Sequence, residues 1–285
     1  METNNRTIFG SYLQACQYTG SGFLVPNYTT LNQRHDIYKD EAVGVLDIPT
    51  IGYVGIGNGG HVAKTGANGF SGLDVVRHKA DHAGLYNQLP FVLRRPDNDL
   101  TSQERSQYRL RGTVTYGETL YVAYWLKRLD LTNTIPTMTR VSVTEEGTVT
   151  IPFVPTEKEL FNPTKPVLSP GGVNVTTGEY LTVTGQVPFT MDSSDLEEFD
   201  NVISIIYDDP SYGIISEIAV CSGIERSLPG VFDGVTMNYD EVIAVQVCNF
   251  LNCCFLTSQY NATGINIIMD IGATESLLLT SQLQS

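Results

Sequence analysis

Histidine is scarce in this chain, four residues in 285, and none stands with a serine, cysteine or carboxylate in a spacing that would assemble a nucleophile with its base. That pattern points away from the common hydrolytic sites, and no enzymatic role is expected. Long apolar runs are missing as well. The longest, Val242 to Leu256, is interrupted by Gln246, Asn249 and Asn252 and falls short of the ~18 residues that suggest a membrane span. Basic residues are few, 17 Lys and Arg against 31 Asp and Glu, for a net charge of −14. Coating nucleic acid needs concentrated positive charge, so no nucleic-acid partner is expected. The opening Met1-Glu2-Thr3-Asn4-Asn5 has neither a basic n-region nor an apolar h-region, so folding in a cytoplasm is expected rather than secretion.

Cysteine is present in odd number, five, without the spaced Cys-x-x-Cys or His partners of a zinc site. Cys221, Cys248, Cys253 and Cys254 lie among mostly apolar neighbours, where free cysteine behaves as a small hydrophobe, so buried thiols are expected. No metal, cofactor or small-molecule substrate is expected.

What remains is building material. A hydrophobic share of 41% with 17% charged residues is that of a folded chain, and Tyr, Thr, Asn, Val and Gly recur in short apolar runs separated by turn residues. The expected fold is mostly β with short helices, a mixed N-terminal domain followed by a C-terminal β-sandwich or barrel-like domain. Residues 1–40 are polar with scattered tyrosines and read as an extended arm. Residues 41–160 read as a mixed β domain, with a strand from Ala42 to Pro49 and a glycine-rich loop over 52–72. Thr101-x-x-Glu104 is a capping box opening a short helix to about Gln107. Two hairpins follow, 108–128 around Tyr116-Gly117-Glu118 and 141–154 around Glu145-Glu146-Gly147. Prolines punctuate a linker at 161–172, and 173–285 reads as an acidic β domain with strands at 180–187, 202–207, 214–221, 242–256 and 265–270.

Candidate chemistry is thin. Gly55-Ile-Gly57-Asn-Gly-Gly60 matches G-x-G-x-x-G, but the glycine-rich continuation cannot open the helix whose N-terminus holds a pyrophosphate. A partner-moulded loop is expected there. Lys64-Thr65 lacks the preceding glycine of a P-loop. His78 and His82 would share one helical face, yet without the Glu of His-Glu-x-x-His or a visible third ligand they read as packing or hydrogen-bonding residues. Asp192, Asp195, Glu197, Glu198 and Asp200, with Asp208-Asp209, read as a solvated acidic loop, because the Asp-x-Asp-x-Asp-Gly alternation of a calcium loop is missing.

Charge divides the chain more sharply. Residues 1–128 hold 13 basic and 11 acidic side chains, whereas 129–285 hold 4 and 20. Arg94, Arg95, Arg105, Arg109 and Arg111 form the basic concentration. Arginine suits interface ion pairs, so these five are expected to meet the acidic half of a neighbouring subunit.

Two segments carry a resemblance. The run from His82 through Gly84-Leu-Tyr-Asn-Gln-Leu-Pro-Phe-Val-Leu to Arg94, with Asp99-Leu100 and Tyr108-Arg-Leu-Arg111, resembles virion structural proteins of tailed bacteriophages. Ile215-Ser-Glu-Ile-Ala-Val-Cys-Ser-Gly223 resembles the E-I-G-L-x-x-G strands of phage tail and baseplate proteins, with Ala219 where those carry glycine. The resemblance implies a non-enzymatic subunit of a tail, neck or baseplate. Its partners would be other virion proteins and copies of itself in a ring, assembled in the host cytoplasm. Two other classes stay open: a virion-borne carbohydrate-cleaving enzyme, and a carbohydrate- or receptor-binding module.

Overall fold

The computed structural model describes residues 3–66, 69–170, 172–173, 175–232, 235–257 and 264–278. The chain is mostly β with short helices, built into several antiparallel sheets. Its first part contains β1 (Thr3–Arg6), α1 (Ile8–Thr19), α2 (Leu31–His35), β2 (Thr50–Gly57), β3 (His61–Gly66), β4 (Gly69–Val75), β5 (Gln88–Leu89) and β6 (Val92–Arg94). Then come α3 (Ser102–Arg105), β7 (Tyr108–Tyr116), β8 (Thr119–Arg128), β9 (Thr137–Thr144), β10 (Gly147–Pro152), α4 (Glu157–Phe161), β11 (Leu168–Ser169) and β12 (Gly172–Val173). The last part holds β13 (Val175–Met191), α5 (Ser193–Tyr207), β14 (Ile214–Phe232), β15 (Val235–Thr257) and β16 (Ile265–Leu278).

These elements form two compact units, residues 1–130 with 189–267, and residues 131–188 with 268–285. The boundaries differ from those read off the sequence. β14 and β15, expected in a separate C-terminal domain, hydrogen-bond into the same sheet as strands from the first 130 residues. That eight-stranded sheet runs β1-β15-β14-β2-β8-β6, with β5 added to β2 and β7 to β8. Its spine is the β14/β15 ribbon, in register from Ile214 opposite Thr257 to Phe232 opposite Val235, with shifts at Ile215/Glu217, Val220/Cys221 and Ser222/Ile224. Tyr124, Leu126, Ile218, Val247 and Phe250 lie wholly or almost wholly out of water at its centre. Each such side chain contributes about 1.5–3 kcal/mol by transfer from water.

The expected extended arm belongs to this sheet. β1 pairs antiparallel with β15, Thr3 opposite Asn252 and Arg6 opposite Asn249. Thr7 then caps α1, its Oγ1 accepting from Gly10 N at 3.0 Å and donating to Val247 O at 2.6 Å. The helix lies so close to β15 that a Cβ at Gly10 would stand 2.7 Å from Cys248 O, and Leu13, Cys16 and Phe23 pack with Cys248.

Other readings change too. The 52–72 loop is regular, since β2 runs to Gly57 and β3 pairs with β4. Ala42–Pro49 forms no strand but bends where Asp47 N donates to Gly44 O, leaving Val45 and Leu46 almost fully exposed. The acidic stretch and the strand expected at 202–207 are one helix, α5, burying Leu196, Phe199, Val202 and Ile203 at helical spacing. Asp192 caps it by accepting from Ser194 N and Asp195 N, while Asp195 accepts from Asp192 N. The Thr101/Glu104 capping box, the hairpins β7/β8 and β9/β10, and the strand over 242–256 form as expected. Cys16, Cys221, Cys248 and Cys253 are buried free thiols, and the side chain of Cys254 lies outside the described residues. No helix among the described residues is long and apolar enough to cross a membrane.

The smaller unit contains a four-stranded sheet in the order β10-β9-β13-β16, in which β9 pairs antiparallel with both β10 and β13.

Candidate functional site

The arginine cluster is consumed inside the chain. Arg111 reaches Asp99 Oδ2 with Nε at 3.0 Å and Nη2 at 2.6 Å, and Tyr124 donates its hydroxyl to Asp99 Oδ1 at 2.8 Å. Arg94 grips Glu198 of α5, and the hydrogen bond to that carboxylate holds its guanidinium pKa above the ordinary value. Arg109 pairs with Glu225 at 3.1 Å, and buried Arg105 pairs with buried Glu241 at 2.9 Å while lying over the Tyr239 ring. Burial still raises the Glu241 carboxyl, against Arg105 and the N–H groups of Arg111 and Leu110. Arg95 alone of the five is largely exposed to solvent. Four of the five guanidiniums therefore meet carboxylates of their own chain, and three of those carboxylates come from the acidic half. The intersubunit assignment is corrected for these four, and for Arg105 and Arg111 the carboxylate is buried, so that removing one charge of the pair costs several kcal/mol.

A second constellation centres on Glu217 of β14, whose side chain is fully buried. Its Oε1 accepts from Gly59 N at 2.9 Å and Asn87 N at 2.8 Å, and its Oε2 from Tyr86 N at 2.9 Å and His78 Nε2 at 2.7 Å. Burial by itself would raise this carboxyl. The His78 hydrogen bond and the N–H groups of Asn87, Tyr86 and Gly59 outweigh it and hold the pKa below the usual carboxylate value. His78 is sandwiched between the rings of Tyr86 and Phe250, at centroid distances of 4.2 and 3.8 Å, and its Nδ1 faces His82 Nδ1 at 3.1 Å. His78 and His82 thus stand together, but on an irregular segment rather than a helix. No three His, Cys, Asp or Glu side chains among the described residues are grouped to hold a metal ion.

The same carboxylate accounts for Gly57 and Gly59 of the 55–60 motif, and the backbone of Ser216 for Gly60. A Cβ on Gly57 would lie 2.5 Å from Asn87 O and 2.6 Å from Glu217 Oε1, and one on Gly60 would lie 2.4 Å from Ser216 O. The backbone wraps an internal carboxylate in place of a phosphate. The sequence reading missed Glu217, although a lone acid inside the apolar run Ile215–Cys221 is a visible signal.

On the smaller unit the cross-strand register collects one apolar face. Ile151 stands opposite Arg140, Leu181 opposite Arg140 and Val183 opposite Met138, so that Met138, Val149, Ile151, Leu181 and Val183 share a side of the sheet. Four of them are 43–58% exposed, and an Arg140–Glu179 ion pair of 2.7 Å lies on the same side, with Arg140 between Ile151 and Leu181.

The described chain is thus an antiparallel β protein with an internally neutralised charge constellation and an outward apolar sheet face. It belongs to a family of unknown function, DUF7208, whose model matches residues 1–285. No curated protein and no solved structure matches it.

Proposed function

We propose that this chain is a non-enzymatic structural subunit of a tailed-phage virion, a baseplate or neck/tail component acting through subunit packing. The observation that carries the reading is the apolar face of Met138, Val149, Ile151, Leu181 and Val183. Exposed apolar surface marks interaction sites, and β10 at the edge of that sheet is exposed along its length. Val45 and Leu46, at a loop tip of the larger unit, add a second apolar point of contact. The two phage-like segments agree with this role. His82–Arg94 and Ile215–Gly223 meet at one carboxylate, where Tyr86 and Asn87 donate to Glu217. Partners would be other virion proteins and copies of the chain in a ring.

Quantitative mass spectrometry of purified particles tests the reading. A fixed copy number of roughly 3–12, as closed rings require, is expected. The Ile151→Lys, Val183→Glu double variant should keep its thermal midpoint and drop out of particles. Absence of the chain from particles, or full incorporation of that variant, refutes the proposal.

A further inference from the structure

A cavity of about 250 Å3 in the larger unit is lined by Asn58, His61, Asn87, Tyr207, Ser211 and Tyr212. None of these side chains carries a fixed charge, and burial lowers the His61 pKa against the pull of Glu217. Tyr207 and Tyr212 stack with centroids 4.5 Å apart and planes 9° apart, and Tyr212 is 49% exposed. Asn87 donates both of its side-chain N–H groups, to Asn58 Oδ1 at 2.6 Å and to the Tyr207 hydroxyl at 2.7 Å. What remains to Asn87 is an acceptor oxygen, and what remains to Tyr207 is a donor O–H. His61 Nδ1 has no hydrogen-bond partner among the described residues.

The lining is preorganised. Asn87 is fixed from behind by its N–H on Glu217, and Asn58 N donates to Asn87 O at 3.1 Å. The volume is that of about eight waters at ~30 Å3 each, room for one ring but not for a dinucleotide. An uncharged lining gives a phosphate no cationic partner and an ammonium group no carboxylate. A partly exposed tyrosine ring beside one acceptor and one donor suits a ring with apolar C–H groups and neighbouring hydroxyls.

We propose that this cavity binds one neutral pyranose ring, its C–H groups against the edge of the Tyr212 ring and its vicinal hydroxyls between the Tyr207 hydroxyl and the Asn87 carbonyl oxygen. The proposal does not depend on the assembly role. The ring is either a free hexose or the terminal residue of a surface glycan.

Amide NMR titration of the full chain with D-glucose, D-galactose, D-mannose and N-acetyl-D-glucosamine, each beside its methyl glycoside, tests it. Saturable shifts confined to Gly59, Asn87 and Ser211–Gly213 are expected, with a dissociation constant on the order of 1 mM for so small a ligand. Tyr212→Ala should abolish them, and Tyr207→Phe, which keeps the stack, should weaken binding about tenfold. Both variants should unfold at the wild-type temperature. Methyl glycosides binding as well as free sugars would assign the site to a glycan terminus, and free sugars alone to a soluble hexose. No saturable shift up to about 50 mM, binding unchanged in the two variants, or preferential binding of adenosine or L-arginine as comparison ligands would overturn the proposal.

Discussion

Replacing Glu217 by glutamine is the sharpest test of how the larger unit is held together. The amide keeps an oxygen for Gly59 N and Asn87 N, but it turns an NH2 toward Tyr86 N and His78 Nε2, which now donate to the carboxylate at 2.9 and 2.7 Å. Each buried donor left without an acceptor costs about 1–3 kcal/mol, and breaking one side of a buried pair costs about 3–5 kcal/mol. The expected loss is about 4 kcal/mol, a large share of the ~5–15 kcal/mol typical of a folded domain. At ~2–4 °C per kcal/mol for a unit of this size, the thermal midpoint should fall by roughly 8–16 °C. Trp125, the single tryptophan, is nearly buried in this unit and reports its urea unfolding by fluorescence. A double-mutant cycle with His78→Phe, whose ring can keep the stack between Tyr86 and Phe250, should show a coupling of at least about 1.5 kcal/mol. Because the folded carboxyl lies below its ordinary 4.5, its stabilisation is complete above that pH and is lost as pH falls through the folded value. The gap between wild type and variant should therefore narrow in acid. A loss under about 1 kcal/mol with no coupling would refute the reasoning.

Burial takes His35 down to about 4 from 6.5, with the Gln88 hydrogen bond opposing and Arg34 adding. The unfolded chain binds the proton first, so stability should fall by about 3 kcal/mol as pH drops from about 6.5 to about 4. His35→Gln should flatten that part of the urea-midpoint profile, and an unchanged slope would contradict the assignment. Asp192→Ala removes the cap of α5 and should cost about 1 kcal/mol by chemical denaturation, with Asp192→Ser recovering most of it. Gly10→Ala places a methyl 2.7 Å from Cys248 O, forcing α1 off β15. It should lower stability by roughly 1–3 kcal/mol and speed hydrogen exchange in residues 8–19.

Local signals were legible in the sequence wherever the chain closes on itself within a few residues. The β7/β8 hairpin turns at Gly117, which sits at φ +59°, and the Thr101/Glu104 box caps its helix through its own backbone. α1 escaped notice because its buried face is only Gly10, Leu13 and Cys16, too few apolar positions to show a period. α5 escaped for another reason. Leu196, Phe199, Val202 and Ile203 keep helical spacing, but five acids among residues 192–200 masked it. The charge asymmetry was visible, and its resolution was not. Arg105 and Glu241 are 136 residues apart, and only the β14/β15 ribbon brings them together. Glu217 draws its donors from backbone 130–158 residues away, which no spacing rule reaches.

Pairing between β1 and β15 joins stretches nearly the whole chain apart, with Asn249 donating to Asn4 across 245 positions. On a ribosome adding about 5–20 residues per second, residues 3–6 wait roughly 12–50 s for their strand partner. Thr7 waits equally long for the carbonyls of Val247 and Cys248. A nascent chain must carry α1 undocked from β15 throughout that interval. A tag or fusion at the front of the chain would act on this delayed closure before it acted on anything in the finished fold.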